Sequence, residues 1–161
     1  MKYHHISGRI STDTLVSLYK FLNHTEGKIT ITLSSHGGSL SIGQAVVDAL
    51  NARADDCILY VIDHAHSTAM DIFLSFRGPK KVGLGGFGIF HQTTIGELVI
   101  FENGKLSLDS LAKVRLMRHV KKYMRTKAEA VLTPAEFLRY QDGEDIYIDY
   151  PRMKRLCKIY V

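Results

Sequence analysis

The sequence predicts an α/β domain built around a largely parallel sheet. Three observations lead to this class. Apolar, β-branched runs alternate with helical patterns through the first half of the chain, and glycine-bearing turns separate several of them. The length of 161 residues suffices for one domain with a real hydrophobic core. A strand, helix, strand, helix, strand order is typical of α/β domains with a parallel sheet.

Each predicted element of the first half follows from its local pattern. Ser11 can cap a first helix, whose residues Leu15, Leu18, Tyr19 and Leu22 share one face. The predicted strands cover residues 3–10, 28–33, 57–62, 80–84 and 87–92, and the predicted helices cover residues 11–23, 41–52 and 67–76.

The second half of the chain has a different pattern. Residues 97–100 and 105–108 flank Glu102-Asn103-Gly104, and Asn-Gly at the tip predicts a hairpin. Residues 109–131 form one long amphipathic helical pattern. Thr133-Pro134-Ala135-Glu136 is a capping box that starts a shorter helix, and residues 145–148 return to a strand pattern. We therefore predict a single domain, residues 1–161, with a hairpin-plus-helix that protrudes from it.

Composition excludes several classes of protein. The hydrophobic content of 45% and the charged content of 23% are those of an ordinary globular domain rather than a disordered chain. Cys57 and Cys157 do not make a disulfide framework and are expected to be buried free thiols. The chain has neither a membrane-length apolar run nor a signal-peptide pattern, so we expect a cytoplasmic protein. The net charge of +5 is spread along most of the chain and predicts a mildly basic, solvated surface.

A glycine turn, Ser35-His36-Gly37-Gly38-Ser39, comes directly after a predicted strand and before a predicted helix. Paired glycines there can leave amide N–H groups exposed near a helix N-terminus, where they can stabilise an oxyanion or bind a phosphate. An ordinary strand-to-helix turn also explains a Gly-Gly pair, and no P-loop pattern is present.

Ser67 lies at a second strand-to-helix junction, where open α/β sheets bind ligands. Its simplest role is that of a helix N-cap. The nearby His64 and His66 share one face of a strand and could bind a metal, but no third and fourth ligands stand at recognisable spacing. We therefore expect neither a metal site nor a cofactor.

Two further residues have the chemistry that a serine nucleophile needs. His91 ends a predicted strand, and a neutral imidazole is the usual base for a serine hydroxyl. Asp145 lies in a late turn, and a carboxylate is needed to orient such an imidazole. Each residue alone is more commonly structural.

Together these motifs resemble the proteolytic subunit of the Clp protease. The family has a Ser-Pro-Gly-Gly turn, an Ala-Ser-Met-Gly segment with the nucleophile, a strand ending in His-Gln, and a late Asp before Phe or Tyr. The corresponding segments here are Ser35-His36-Gly37-Gly38, His66-Ser67-Thr68-Ala69, His91-Gln92 and Asp145-Ile146-Tyr147. The similarity covers most of the chain from about Ile6, and residues 96–132 approximately match the family's "handle", through which subunits pair.

The resemblance implies a β-α superhelix, the architecture that the family shares with the crotonases, and a serine endopeptidase that forms a ring or a stacked double ring. Its triad is Ser67 as nucleophile, His91 as general base and Asp145 as the residue that orients His91. The backbone N–H groups of Gly38 and Thr68 form the oxyanion hole. The substrate is a peptide or an unfolded protein, and no metal or cofactor is needed.

Three departures qualify these implications. The predicted sheet begins almost at Met1, whereas the family has a longer N-terminal segment that contacts an ATP-dependent unfoldase, which weakens the expectation of that partner. His36 replaces a proline, and Thr93-Thr94 follows Gln92 in place of another. Thr68-Ala69 replaces Met-Gly after the nucleophile. These changes leave the triad intact and indicate a divergent, phage-type member.

Three other functions fit parts of the sequence. A non-catalytic ring subunit would keep the fold for assembly alone. A crotonase-type acyl-CoA enzyme would share the architecture, but the placement of Ser67 and His91 disfavours it, since those enzymes use carboxylates as acid and base. Nucleic-acid binding by the basic helix is disfavoured because a solvated helix face explains its charges more simply. The charges in question are Lys113, Arg115, Arg118, Lys121, Lys122 and Arg125.

Overall fold

The computed structural model describes residues 2–92, 101–102, 105–106 and 108–159. The chain forms two compact units, one made of residues 1–91 and 145–161 and the other of residues 92–144. The first unit is a mixed α/β structure with a mostly parallel central sheet, which confirms the predicted α/β class.

The first unit contains every residue of the predicted triad. Its elements, in chain order, are β1 (Lys2–Ile10), α1 (Thr12–Asn23), β2 (Ile29–Gly38), α2 (Leu40–Asn51), β3 (Cys57–His66), α3 (Thr68–Ser75), β4 (Lys80–Val82) and β5 (Phe87–Phe90), followed after the second unit by β8 (Ile146–Ile148) and α6 (Tyr150–Leu156).

The strands of this unit lie in the order β1-β2-β3-β5-β8, and β4 also pairs with β3. All pairs are parallel except β5 with β8, which is antiparallel. Helices connect the first three strands, as parallel pairing requires. The carboxyl ends of β2, β3 and β5 therefore meet the start of β8 at one edge of the sheet.

Helix α3 packs against β2 and β3, and its residues 68–74 are all buried. The strands alternate toward it: Ile29, Ile31 and Leu33 of β2 are fully buried, as are Leu59 and Val61 of β3. This period of two places the next residues of each strand on the opposite face of the sheet.

The second unit contains a short antiparallel pair and two helices. The elements are β6 (Phe101–Glu102), β7 (Lys105–Leu106), α4 (Leu108–Val131) and α5 (Pro134–Gln141). Thr133 caps α5: its hydroxyl accepts from the Glu136 N–H at 3.3 Å, and a Glu136 carboxylate oxygen accepts from the Thr133 N–H at 2.9 Å. The predicted capping box and long helix are thus present.

Several element bounds differ from the prediction. Strands β2 and β3 continue to Gly38 and His66, beyond the predicted ends at residues 33 and 62. Helix α2 is capped by Ser39, whose hydroxyl accepts from the Ile42 N–H, and α6 was not predicted. The predicted hairpin strand at residues 97–100 lies outside the described residues; the hairpin pairing observed is between β6 and β7.

Among the helices of the described residues, none is long and apolar enough to cross a membrane.

Candidate active site

The predicted triad residues lie at the ends of three neighbouring strands. Ser67 follows β3, His91 follows β5, and Asp145 precedes β8. The register pairs His66 with Ile89 and Phe90 with Ile146, so the backbone of Ser67 adjoins β5 and the His91 position lies opposite Asp145. A hydrogen bond from the Ser67 N–H to the Ile89 carbonyl, 3.1 Å long, continues the pairing of β3 with β5.

Ser67 has an unusual backbone conformation, with φ of 52° and ψ of −123°. Among the described residues it is the only one other than glycine with a positive φ. Such conformations cost about 1–3 kcal/mol and cluster at functional sites. Although Ser67 occupies the N-cap position of α3, its side chain makes no capping hydrogen bond, so the simple N-cap role is not what the structure shows. Its hydroxyl is displayed at a sharp strand-to-helix turn.

The glycine pair at the end of β2, Gly37-Gly38, packs directly against this serine. A Cβ atom built on Gly37, which has φ of 90°, would lie 2.7 Å from the His66 carbonyl oxygen, 2.9 Å from the Ser67 Cβ and 3.0 Å from the Thr68 nitrogen. Only glycine permits this approach. Gly38 is equally close to β1, since a Cβ there would collide with the backbone of Ile10.

The two predicted oxyanion-hole residues are linked to each other. The Thr68 hydroxyl donates a hydrogen bond of 3.0 Å to the Gly38 carbonyl. Thr68 is buried, and a Cβ atom on Gly43 of α2 would collide with its methyl group. The Thr68 side chain therefore fixes the first turn of α3 on two sides, through its hydroxyl against Gly38 and through its methyl group against Gly43 of α2.

The three triad side chains do not hydrogen-bond to one another in this conformation, although all three lie in the described part of the chain. Asp145 is exposed, while Ser67 and His91 are half-buried. The structure thus brings the three residues to one edge of the sheet, but their side chains are not aligned by hydrogen bonds to one another.

A cluster of three histidines adjoins this edge. The ring centroids of His36, at the end of β2, and of His64 and His66, at the end of β3, lie 4.3, 4.7 and 5.0 Å apart. The His36 and His66 Nδ1 atoms are 3.2 Å apart. Phe87 of β5 packs against His66, and Tyr147 of β8 packs against Phe87, so aromatic rings continue from the cluster across the sheet.

Burial and neighbouring imidazoles hold His66 neutral. Burial, together with repulsion from His64, His36 and His91, lowers its pKa to about 4, while Asp63 opposes this shift. The repulsion from His91 also indicates that the predicted base lies near the cluster. At neutral pH, His66 therefore adds no charge beside Ser67.

His64 and His66 were predicted to share one strand face, but their association with His36 was not predicted. The register pairs Ser35 with Ala65, which aligns His36 with His66 on the next step of the two parallel strands. A signal for this existed, since His36, His64 and His66 alternate with the small residues Ser35, Gly37 and Ala65. This alternation becomes informative only when β2 is known to continue to Gly38 and β3 to His66.

Comparison with known protein families found no family model that matches the chain, and comparison with curated proteins found no significant match.

Proposed function

We propose that the chain is a serine endopeptidase of the Clp type, with Ser67 as nucleophile, His91 as general base and Asp145 as the residue that orients His91. The backbone of Ser67 carries the proposal. A serine in a strained, positive-φ turn between a strand and a helix presents its hydroxyl at the sheet edge, as the nucleophile of α/β hydrolases does. The absence of a capping hydrogen bond leaves that hydroxyl available.

The proposed reaction proceeds through an acyl-enzyme. The Ser67 Oγ attacks the scissile carbonyl carbon while the His91 imidazole takes its proton. When the tetrahedral intermediate collapses, the C–N bond breaks and His91 returns the proton to the leaving amine. A water molecule, deprotonated by His91, then attacks the ester and releases the acid product and the Ser67 hydroxyl.

The negative oxygen of the intermediate needs preorganised donors, and the Gly38 and Thr68 N–H groups are the proposed ones. Each such donor typically contributes about 3–4 kcal/mol to transition-state stabilisation. The contact of Gly37 with Ser67 and the Thr68–Gly38 hydrogen bond support this role, because they hold the two backbone segments together.

The open triad is compatible with this chemistry, because catalytic hydrogen bonds often tighten only when substrate binds. The proposal includes the expected cytoplasmic location and the other properties that the resemblance implies: a β-α superhelix whose handle pairs subunits in a ring or stacked double ring. In the second unit, Met124 and Ala128 of α4 are buried while Arg118, Lys121 and Arg125 are exposed, the pattern of an amphipathic helix.

Covalent labelling with a fluorophosphonate tests the chemistry. We expect one adduct per chain by intact mass, absent from Ser67→Ala and retained by Ser11→Ala, a control serine at another helix N-terminus. Hydrolysis of fluorogenic peptides should be lost in parallel. Assembled protein that gives no Ser67 adduct and hydrolyses no peptide would contradict the peptidase proposal.

A non-catalytic ring subunit is the second candidate, and the missing hydrogen bonds among the triad side chains favour it. Sedimentation velocity of the same preparation separates the two candidates. A ring-sized species without labelling supports the assembly role, whereas a ring-sized species with one adduct per chain supports the peptidase.

A further inference from the structure

The histidine cluster contains nitrogen atoms that the protein itself leaves without partners. The Nε2 atoms of His64 and His66 are both buried and make no hydrogen bond. Buried polar atoms are rarely unsatisfied, because each costs about 1–3 kcal/mol. For His64, whose Nδ1 atom already has partners, the unpaired Nε2 atom indicates a missing ligand.

His64 is oriented as metal-binding histidines usually are. Its Nδ1 lies 2.9 Å from the Asp63 carboxylate and 3.3 Å from the Ser34 hydroxyl. A carboxylate on Nδ1 fixes the proton there, which leaves the Nε2 lone pair free, and this carboxylate–histidine pairing recurs in metal sites.

The spacing of the other two rings fits a shared ion. Two nitrogen ligands about 2.0–2.1 Å from a tetrahedral Zn²⁺ are about 3.3 Å apart. The His36 and His66 Nδ1 atoms are 3.2 Å apart. In the absence of an ion, two Nδ1 atoms at this distance must share one proton, because two N–H groups would repel each other.

The third ligand is not yet in place in this conformation. Among the described residues, no three His, Cys, Asp or Glu side chains are arranged to hold a metal ion as they stand. The His64 ring centroid is nevertheless only 4.3 Å from that of His36 and 4.7 Å from that of His66. His36 is exposed, so the His36–His66 pair can shift toward His64 without disturbing the core.

We infer that His36, His64 and His66 form a binding site for one divalent transition-metal ion of the Zn²⁺ type, with water completing the coordination. Imidazole rings, rather than carboxylates, make the direct contacts, which favours Zn²⁺, Co²⁺, Ni²⁺ or Cu²⁺ over Mg²⁺ and Ca²⁺. Asp63 is a positioning residue that holds His64. The test of this site does not depend on the proposed peptidase chemistry, because the quantity measured is metal binding alone.

The test uses the full chain without a polyhistidine tag, stripped with a chelator and exchanged into metal-free buffer. Titration with Co²⁺, followed by its visible absorption and by competition with Zn²⁺, should give one site per chain with micromolar or tighter affinity for Zn²⁺. The His36→Ala and His66→Ala variants should each lose at least tenfold in affinity, and Asp63→Asn about tenfold through the position of His64.

Two controls address the other histidines. His24→Ala removes an exposed imidazole at the end of α1, and His5→Ala removes one of the adjacent pair in β1; both should bind as the wild type does. Circular dichroism checks that each variant is folded. Wild-type protein that binds no Zn²⁺ at 100 µM ion, on the order of a hundred times the expected Kd, or a folded His36→Ala/His66→Ala double variant of unchanged affinity, would overturn the inference.

Discussion

At the scale of single residues, the candidate site depends on one close backbone approach. Ser67 holds a conformation that costs free energy, and Gly37 lies against it with no room for a side chain. The surrounding structure must stabilise such a residue, because an isolated chain would relax out of the conformation. The hydrogen bond between the Ser67 N–H and the Ile89 carbonyl contributes to that stabilisation.

Replacing Gly37 with alanine tests this approach, and Gly27→Ala is the matched control. Both glycines have a positive φ, of 90° and 72°, so alanine is strained at either position, typically by about 1–2 kcal/mol. Only at Gly37 does the new methyl group meet other atoms. We expect Gly37→Ala to lower the free energy of unfolding by about 2 kcal/mol more than Gly27→Ala, measured by urea denaturation.

The Gly37→Ala and Gly27→Ala variants should also differ in how fast Ser67 reacts with a fluorophosphonate. The alanine methyl group of Gly37→Ala would push on Ser67 and Thr68. The rate of fluorophosphonate labelling should therefore fall at least tenfold in Gly37→Ala and stay unchanged in Gly27→Ala. Equal stability and equal labelling of the two variants would show that the close approach is unimportant.

Thr68 allows the hydrogen bond at the proposed oxyanion hole to be separated from packing. Thr68→Val removes the hydroxyl that donates to the Gly38 carbonyl, and Thr68→Ser removes the methyl group that packs on Gly43. Each should cost about 1 kcal/mol of stability. Only Thr68→Val should slow the labelling of Ser67, by about tenfold, because only it releases Gly38. A slower reaction in Thr68→Ser alone would assign the effect to packing.

At the scale of elements, the sequence predicted most strands and helices but not where two strands end. Apolar, β-branched runs marked the starts of β2 and β3 correctly to within one residue. The runs stop at Leu33 and Ile62, where serine, histidine, glycine and aspartate take over, and such residues have low strand propensity. The strands continue there because pairing with β1 and β5 holds them, and pairing is a tertiary effect.

The candidate site likewise has features that the sequence predicted and features that it did not predict. The order of glycine turn, serine, histidine and aspartate could be read from sequence, and so could their place at strand ends. The conformation of Ser67 could not, because serine itself favours ordinary N-cap geometry. The approach of His36 to His66 was not predicted either, because the alternation of histidines with small residues becomes a signal only once the register of the two strands is known. The alignment of the triad depends on side-chain rotamers, which no local pattern specifies.

Arg53, which follows α2, joins three parts of the first unit. Its guanidinium donates to the carbonyls of Leu22, Thr25 and Gly27, at 3.3, 2.8 and 3.0 Å, and so connects the end of α2 to the end of α1 and to the segment between α1 and β2. Arg53→Met should lower the free energy of unfolding by about 2–3 kcal/mol, because three backbone acceptors lose a charged donor.

Asp56→Asn is the control for the ion pair of Arg53. The two charged groups are 3.9 Å apart and partly exposed, so removing the carboxylate charge should change stability by no more than about 0.5 kcal/mol. Urea midpoints of both variants decide the matter. A large loss of stability in Asp56→Asn would show that Arg53 stabilises the fold through its ion pair with Asp56 and not through its hydrogen bonds to the three carbonyls.

At the scale of the whole molecule, the sheet of the first unit has two chemically different faces. The face against α3 carries fully buried aliphatic side chains, and the other face carries the histidine cluster, Phe87 and Tyr147. The proposed active site lies at the strand ends, directly after β3 and β5 and directly before β8. Stability comes from the buried face, so substitutions in the cluster should leave folding largely intact and change binding.

Cys57 makes that buried face sensitive to alkaline pH. It is fully buried at the start of β3, and burial raises the pKa of its thiol to about 11 from 9.0. Between pH 9 and 11 the unfolded chain releases this proton while the folded chain keeps it. The unfolded state then binds fewer protons, so the free energy of unfolding falls as pH rises through this window.

The predicted loss is about 2–3 kcal/mol once the pH reaches 11, with the full contribution present below pH 9. Because Lys and Tyr side chains also titrate in this range, the quantity to measure is the difference between wild type and Cys57→Ala in urea denaturation at several pH values. The cavity left by alanine costs the same at every pH, so the advantage of the wild type should shrink steadily above pH 9. Cys157→Ala serves as the comparison: burial also raises the pKa of its thiol, but this thiol is only partly buried, so the wild-type advantage over Cys157→Ala should shrink less. A wild-type advantage over Cys57→Ala that stays constant from pH 8 to 11 would mean that the Cys57 thiol ionises as readily in the folded chain as in the unfolded one.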